Sequence, residues 1–259
     1  MLGLGFDIRK DQGSGLSGSG SDRDPALLNR FGLELDGVDQ TIRFFGSTPA
    51  ATAFADANSD DQFTLNMWVR FADKTAVSDI WNMGTTSNYN RLFLSSSGST
   101  LNFWSAQGSN IAFATQASVS LSNDTWHMIT LVCTRSTNWS VQIYLDGSAI
   151  TTTGIVLQSH DVQASGSMFL AKALGAANYY EVDFDEMSFF KTALSADNVS
   201  YLYNNLFDLT TWTETTGKLM WWYRLENDAS DTTGTFSDGS LQNSPSFLSA
   251  SSVTLPYNS

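Results

Sequence analysis

Short runs that alternate between apolar and polar residues dominate the chain from Phe31 onward. FTLNMWVRF puts Phe63, Leu65, Met67, Val69 and Phe71 on one side and Thr64, Asn66, Trp68 and Arg70 on the other, a period of two that predicts a strand with one buried face. GLELDGVDQTIRFF alternates around a turn at Asp36-Gly37, and SDIWNMG, YNRLFLSSSG, STLNFWSAQG and NIAFATQ follow between Gly/Ser/Asn turns. TWHMITLVCTR is apolar on both sides, which predicts a central strand covered on both faces. NWSVQIYLDGSAIT predicts a hairpin at Asp146-Gly147; SMFLAKAL and KLMWWYRLEND read as further strands, before a turn-rich tail, GSLQNSPSFLSASSVTLP.

The stretch Glu181–Asn205 organises the rest. Tyr180, Val182 and Phe184 point one way, but the next apolar pair, Met187 and Phe189, is out of phase by one. A slip of one residue moves an apolar set to the opposite face, so a bulge or twist is expected near Asp185-Glu186. After Lys191 the period becomes helical. Ser195 suits an N-cap, Asp197 suits the positive end of the helix dipole, and Leu194 with Val199 occupies the positions of a hydrophobic staple. This is the one helix the pattern predicts, near 195–205. The expected architecture is all-β: an antiparallel two-sheet jelly-roll sandwich.

Residues 1–30 differ. Asp11–Asp24 is Gly- and Ser-rich, with Leu2, Leu4 and Phe6 ahead of it, which predicts a flexible arm that attaches to a partner. Its GSGLSG matches a dinucleotide fingerprint only formally, because no strand precedes it and no helix follows. The N-terminus lacks the basic and apolar regions of a secretory signal, and no segment is long enough to span a bilayer.

Composition narrows the partners. The 259 residues carry 13 basic and 26 acidic side chains, a net charge of −13. That disfavours nucleic acid and anionic membranes. With 17 Phe and 8 Trp there is ample material for a core. Cys133, the single cysteine, reads as a small buried hydrophobe. His127 and His160 show no ligand spacing and read as solvated or hydrogen-bonded side chains. Trp68 and Trp126 read as core. Trp81, Tyr89, Trp104 and Tyr179 lie in or beside Asn/Ser-rich stretches, and such rings suit stacking on sugar faces while amides bind hydroxyls; packing in the core or at the barrel edge is the competing reading for each.

FDEMSFFKTALSADNVSYLYN (184–204) resembles the closing signature of laminin-G-like domains of the concanavalin A-like lectin/glucanase superfamily. LELDGVDQTIRF, DQFTLNMWVRF and TWHMITLVCTRSTNWSVQIYLDG resemble three further family segments, in the family's order. GKLMWWYRLEND and SDGSLQNSPSF, which resemble the family's first strand and its turn, stand last here. The resemblance is therefore to a permuted form, with 31–259 as one jelly roll and 217–247 supplying the usual first strand.

The permuted order, the MLGLG start and the lack of a signal resemble virion proteins of tailed phages. This implies a non-enzymatic structural or adhesion protein made in the host cytoplasm and displayed on the virion. It would be a homo-oligomer on the particle, contacting other virion proteins through residues 1–30 and surface glycans through the jelly roll. A capsid decoration or tail protein without glycan affinity is the alternative.

The resemblance also implies a structural calcium ion where the DGVD turn meets the DE strand, with Asp36, Asp39 and Asp185 as the matching carboxylates. Capping of the turn by these aspartates competes with that reading. Glu181, Asp183 and Glu186 fit the E-x-D-x-x-E motif of retaining β-glucanases in the same superfamily. They would serve as nucleophile, helper and acid/base, a chemistry that needs two carboxylates about 5–5.5 Å apart. The competing reading makes Glu181 and Asp183 the solvated side of an edge strand and Asp185-Glu186 part of the fold signature. No enzymatic activity is expected.

Overall fold

A computed structural model describes residues 31–44, 49–77, 79–108, 110–173, 175–205 and 208–249. The arm at 1–30, with its attachment role, lies outside the described residues, as does the end of the tail at 250–259.

The strands are β1 (Phe31–Glu34), β2 (Thr41–Phe44), β3 (Gln62–Phe71), β4 (Asp79–Gly84), β5 (Asn88–Leu94), β6 (Thr100–Gln107), β7 (Asn110–Ser118) and β8 (Trp126–Arg135). They continue as β9 (Trp139–Leu145), β10 (Ser148–Ile150), β11 (Thr152–Leu157), β12 (Met168–Leu170), β13 (Val182–Phe190), β14 (Leu219–Tyr223), β15 (Ser240–Gln242) and β16 (Ser246–Ser249). Among the described residues two α-helices, α1 (Pro49–Asp60) and α2 (Ala196–Asn204), interrupt them. The strands form two antiparallel sheets of eight, packed as a sandwich. The first runs β10-β9-β8-β3-β13, with β1 and then β16 beside the start of β13 and β14 beside its end. The second runs β11-β7-β6-β5-β4-β12-β2-β15.

The alternation in β3 holds. Phe63, Leu65, Met67, Val69 and Phe71 all enter the core between the sheets. β8 is covered on both faces: Ile129, Leu131 and Cys133 point into the main core, Met128 and Val132 into a second cluster on the outside of the first sheet. Burial raises the Cys133 thiol well above its usual pKa. His127 is buried and hydrogen-bonded, with Asp146 at 2.8 Å from Nδ1 and the Ser122 N–H donating to Nε2. The Asp146-Gly147 hairpin is formed, both residues with positive φ (50° and 75°), as a two-residue turn between right-twisted strands requires.

The phase slip in β13 is a bulge. Asp185 pairs with Trp68 and Ser188 with Asn66, so two residues on β13 oppose the single Met67. Glu186 absorbs the extra length in a left-handed conformation, φ +46°. The bulge keeps Val182 and Phe184 before it, and Met187 and Phe189 after it, in the same core.

α2 starts as expected. Ser195 Oγ accepts the Asn198 N–H at 3.2 Å. Leu194, Val199 and Leu202 bury themselves with Trp68, Met128, Tyr144, Phe190 and Trp222 in the second cluster. Trp126 packs, half-buried, against the same cluster. The sequence pattern misses α1. Its Ala53, Phe54 and Ala57 face the main core, and Phe54 packs on Phe63, Trp81 and Phe189.

Candidate functional site

The acidic motif comes first. Glu181 is exposed at the foot of β13, opposite Asp36. Asp183 is not the solvated side of an edge strand. β13 has partners on both sides, and Asp183 is buried, its Oδ2 accepting Arg70 Nε at 2.6 Å. Burial outweighs the attraction of Arg70 and raises its pKa to about 6. Glu186 is buried at the bulge. Its Oε2 accepts the Trp222 indole N–H at 2.6 Å and its Oε1 accepts Arg224 Nε at 3.1 Å. Desolvation raises its pKa to about 7 against the pull of Arg224. Asp183 and Glu186 are thus each held by an arginine on the covered outside of the first sheet, while Glu181 stands apart in solvent.

The three aspartates expected at a metal are dispersed. Asp36 and Asp39 are exposed in the turn, and Asp36 Oδ1 accepts the Val38 N–H at 2.9 Å. The turn does reach β13, but at Glu181: a Cβ on Gly37 would lie 2.8 Å from the Glu181 backbone nitrogen. Asp185 is four residues further along the strand, roughly 13 Å at the rise of extended chain, and is fully buried. These carboxylates do not fit a shared ion. Among the described residues no group of three or more His, Cys, Asp or Glu side chains is arranged to hold a metal.

The aromatic candidates divide differently. Trp81 is a correction: it is fully buried and packs on Phe54 and Phe103, so no ring face is open to a sugar. A bulge between Asp79 and Trp81 turns it inward to align with Leu92 and Leu170. Trp104, Tyr89 and Tyr179 are half-buried. Trp104 alternates with Phe103 and Ser105, which point inward, so its ring stands on the outer face of the second sheet. Phe93 packs edge-on against it at 5.4 Å.

Register builds a continuous row on this outer face. Arg43 pairs with Phe169, Phe169 with Asn82, Asn82 with Arg91, and Arg91 with Trp104. Arg91 is held against buried Asp79 and lies over the Phe93 ring, 4.2 Å from its centroid. Arg43 donates to Ser167 Oγ at 3.1–3.2 Å and lies 5.7 Å from the Phe169 centroid. Lys172 follows β12 and bridges to Tyr179. Its Nζ lies 4.4 Å from the Phe169 ring and 5.6 Å from the Tyr179 ring. Asn82 fixes the backbone here by donating to the Lys172 carbonyl.

Beside this row is a cleft of about 510 Å³, lined by Asn82, Phe169 and Lys172 together with the chain around Thr85–Thr86 and Gly175–Ala177. Its walls need small residues. A Cβ on Gly175 would lie 2.1 Å from Thr86 Cγ2. Tyr89 pairs with Gly84 at the same margin. The site thus combines ring faces, an amide, hydroxyls and an ammonium group, a set suited to hold a sugar through its C–H face and its polar edge. Sequence reasoning missed Arg43, Asn82, Phe169 and Lys172, which only the pairing of β2, β12 and β4 brings together.

Comparison with known proteins agrees with this architecture. No curated protein matches the chain. Among solved structures, a candidate carbohydrate binding protein from Bacteroides ovatus superposes with a TM-score of 0.60 at 14% identity, over 88% of this chain and 60% of that one. This chain therefore spans about three-fifths of that relative's length. The heptameric SAP-like pentraxin of Limulus polyphemus gives a TM-score of 0.54 at 13% identity, over 87% of this chain and 97% of the other. The binding domain of botulinum neurotoxin DC, solved with rat synaptotagmin II, gives 0.51 at 15% identity, over 71% and 45%. At these identities the likeness is one of fold. The family profile described as the concanavalin A-like lectin/glucanases superfamily matches residues 45–200, more than half of the sequence, and the chain belongs to that superfamily.

Proposed function

We propose that the protein is a carbohydrate-binding module that holds glycans, without turning them over, on the outer face of the second sheet. The observation that carries this reading is the row of rings and polar groups from Arg43 to Trp104, with the cleft beside it. The Bacteroides ovatus relative, a candidate carbohydrate binding protein, supports it. Binding without hydrolysis is supported by the acidic motif. A retaining mechanism needs its nucleophile and its acid/base about 5–5.5 Å apart, whereas exposed Glu181 lies five positions from Glu186, roughly 16 Å at the rise of extended chain, and Glu186 is buried against Trp222 and Arg224. Display on a tailed-phage particle, through residues 1–30, is the part of the proposal that rests on sequence resemblance alone. Mass spectrometry of purified particles tests it, and absence of the chain from them removes it.

The binding role is tested by a glycan array followed by titration calorimetry. Trp104→Ala or Tyr179→Ala is expected to weaken the best ligand by about tenfold or more, since a lost stacking contact of 1–2 kcal/mol corresponds to roughly that factor. No binding to any glycan at high protein concentration would leave a purely structural role.

A further inference from the structure

The cleft carries a charge that the rest of the molecule does not prepare for. The chain has twice as many acidic as basic residues, and Arg70, Arg91, Arg135, Arg224 and Lys191 each face a carboxylate. Lys172, like Lys74 and Lys218, forms no ion pair with a carboxylate among the described residues, and of the three it is the one on the cleft, where no lining residue is acidic. Its ammonium group sits instead over two rings, Phe169 and Tyr179. Ring faces position a cation without neutralising it, so its charge stays available to an incoming ligand. Arg43 lies over the same Phe169 ring, 5.7 Å from its centroid. In a protein of net charge −13, a cation kept clear of carboxylates is the feature a negatively charged ligand would need.

We infer that the cleft selects an anionic sugar unit, bearing a carboxylate or a sulfate ester, with its charged group on Lys172 and its ring against Phe169. The inference rests on the glycan-binding reading and specifies its ligand class. Neutral sugars would still find the stacking surface at Trp104, but they would gain nothing from Lys172. A charge-assisted hydrogen bond is roughly twice as strong as a neutral one, and the low local charge density of competing carboxylates leaves it unopposed.

The test uses the full chain on an array carrying neutral, uronate and sulfated members of each sugar backbone, followed by calorimetry on the tightest set. The expected result is binding of an anionic member about tenfold tighter than its neutral counterpart, weakening as salt rises from low to several hundred millimolar. That preference should vanish in Lys172→Gln and survive in Lys172→Arg, with the melting temperature of both variants unchanged. Comparison of the uronate and sulfate arms identifies which anion is preferred. Equal binding of neutral and anionic members, or a preference retained in Lys172→Gln, overturns the inference while leaving glycan binding intact. No binding of any sugar overturns both.

Discussion

The two outer faces of the sandwich make opposite use of similar residues. On the first sheet, Trp68, Phe190 and Trp222 are closed under α2 and the 3-10 turns at Leu209–Thr211 and Thr213–Thr215. Asp183 and Glu186 are sealed against arginines there. On the second sheet, Phe169, Tyr179 and Trp104 stay half-buried beside an open cleft. Aromatic content alone therefore says little about binding. A ring under a helix contributes to stability, whereas the same ring left uncovered, with a cation fixed over it, is a surface for a ligand.

Substitution can break this contrast. The largest effect is expected at Trp222. Trp222→Ala opens a cavity in the second cluster and leaves Glu186 without its indole donor. A loss of about 4 kcal/mol in urea unfolding is expected, with glycan binding unchanged wherever the protein remains folded.

A second test uses pH. Glu186 titrates near 7 in the folded protein against 4.5 when unperturbed, so the folded state binds its proton more tightly. Stability is then greatest with the group protonated and falls as pH rises from about 4.5 to 7, flattening above. At about 1.4 kcal/mol per pK unit, the fall amounts to about 3 kcal/mol. Glu186→Gln should flatten the melting temperature over this window. Asp183, raised from 3.8 to about 6, should leave a smaller decline of the same sign between those values.

A smaller loss is expected from Ser195→Ala, which removes the N-cap of α2. Chemical unfolding should register about 1 kcal/mol.

The smallest effect on stability belongs to the other face. Tyr179→Ala should change the unfolding free energy by within about 0.5 kcal/mol while weakening sugar binding. A large destabilisation there would erase the distinction between the faces.

Much of the sandwich was legible because strands and turns write themselves locally. The slip of phase between Phe184 and Met187 announced the bulge, and Ser195 with the Leu194/Val199 pair announced α2. α1 was not legible. PAATAFADANSD carries just three inward apolar side chains among the described ones, and it lacks the charged opposite face that makes a helix conspicuous. Trp81 was misassigned because its strand, SDIWNMG, runs into an Asn/Ser-rich stretch, while the bulge that turns it inward depends on pairing with β5. Asp183 looked solvated because the alternation cannot reveal how many strands flank β13. The candidate site was half legible. Its aromatic members stood out by composition, but Arg43, Asn82 and Lys172 are separated by up to 129 positions and meet only through strand order.

The last two strands have a consequence for synthesis. β15 pairs with β2 in one sheet, and β16 with β1 in the other, with Phe31 opposite Ser249. Each closes against a strand made about two hundred residues earlier. On the ribosome, one edge of β1 and one edge of β2 must therefore wait unpaired until about two hundred further residues have been made. Such long-range closure slows folding, and open edges invite pairing with other chains. The segment from Ser240 to Ser249 acts as a latch on both sheets at once. Until it emerges, the nascent sandwich is at its most vulnerable to aggregation.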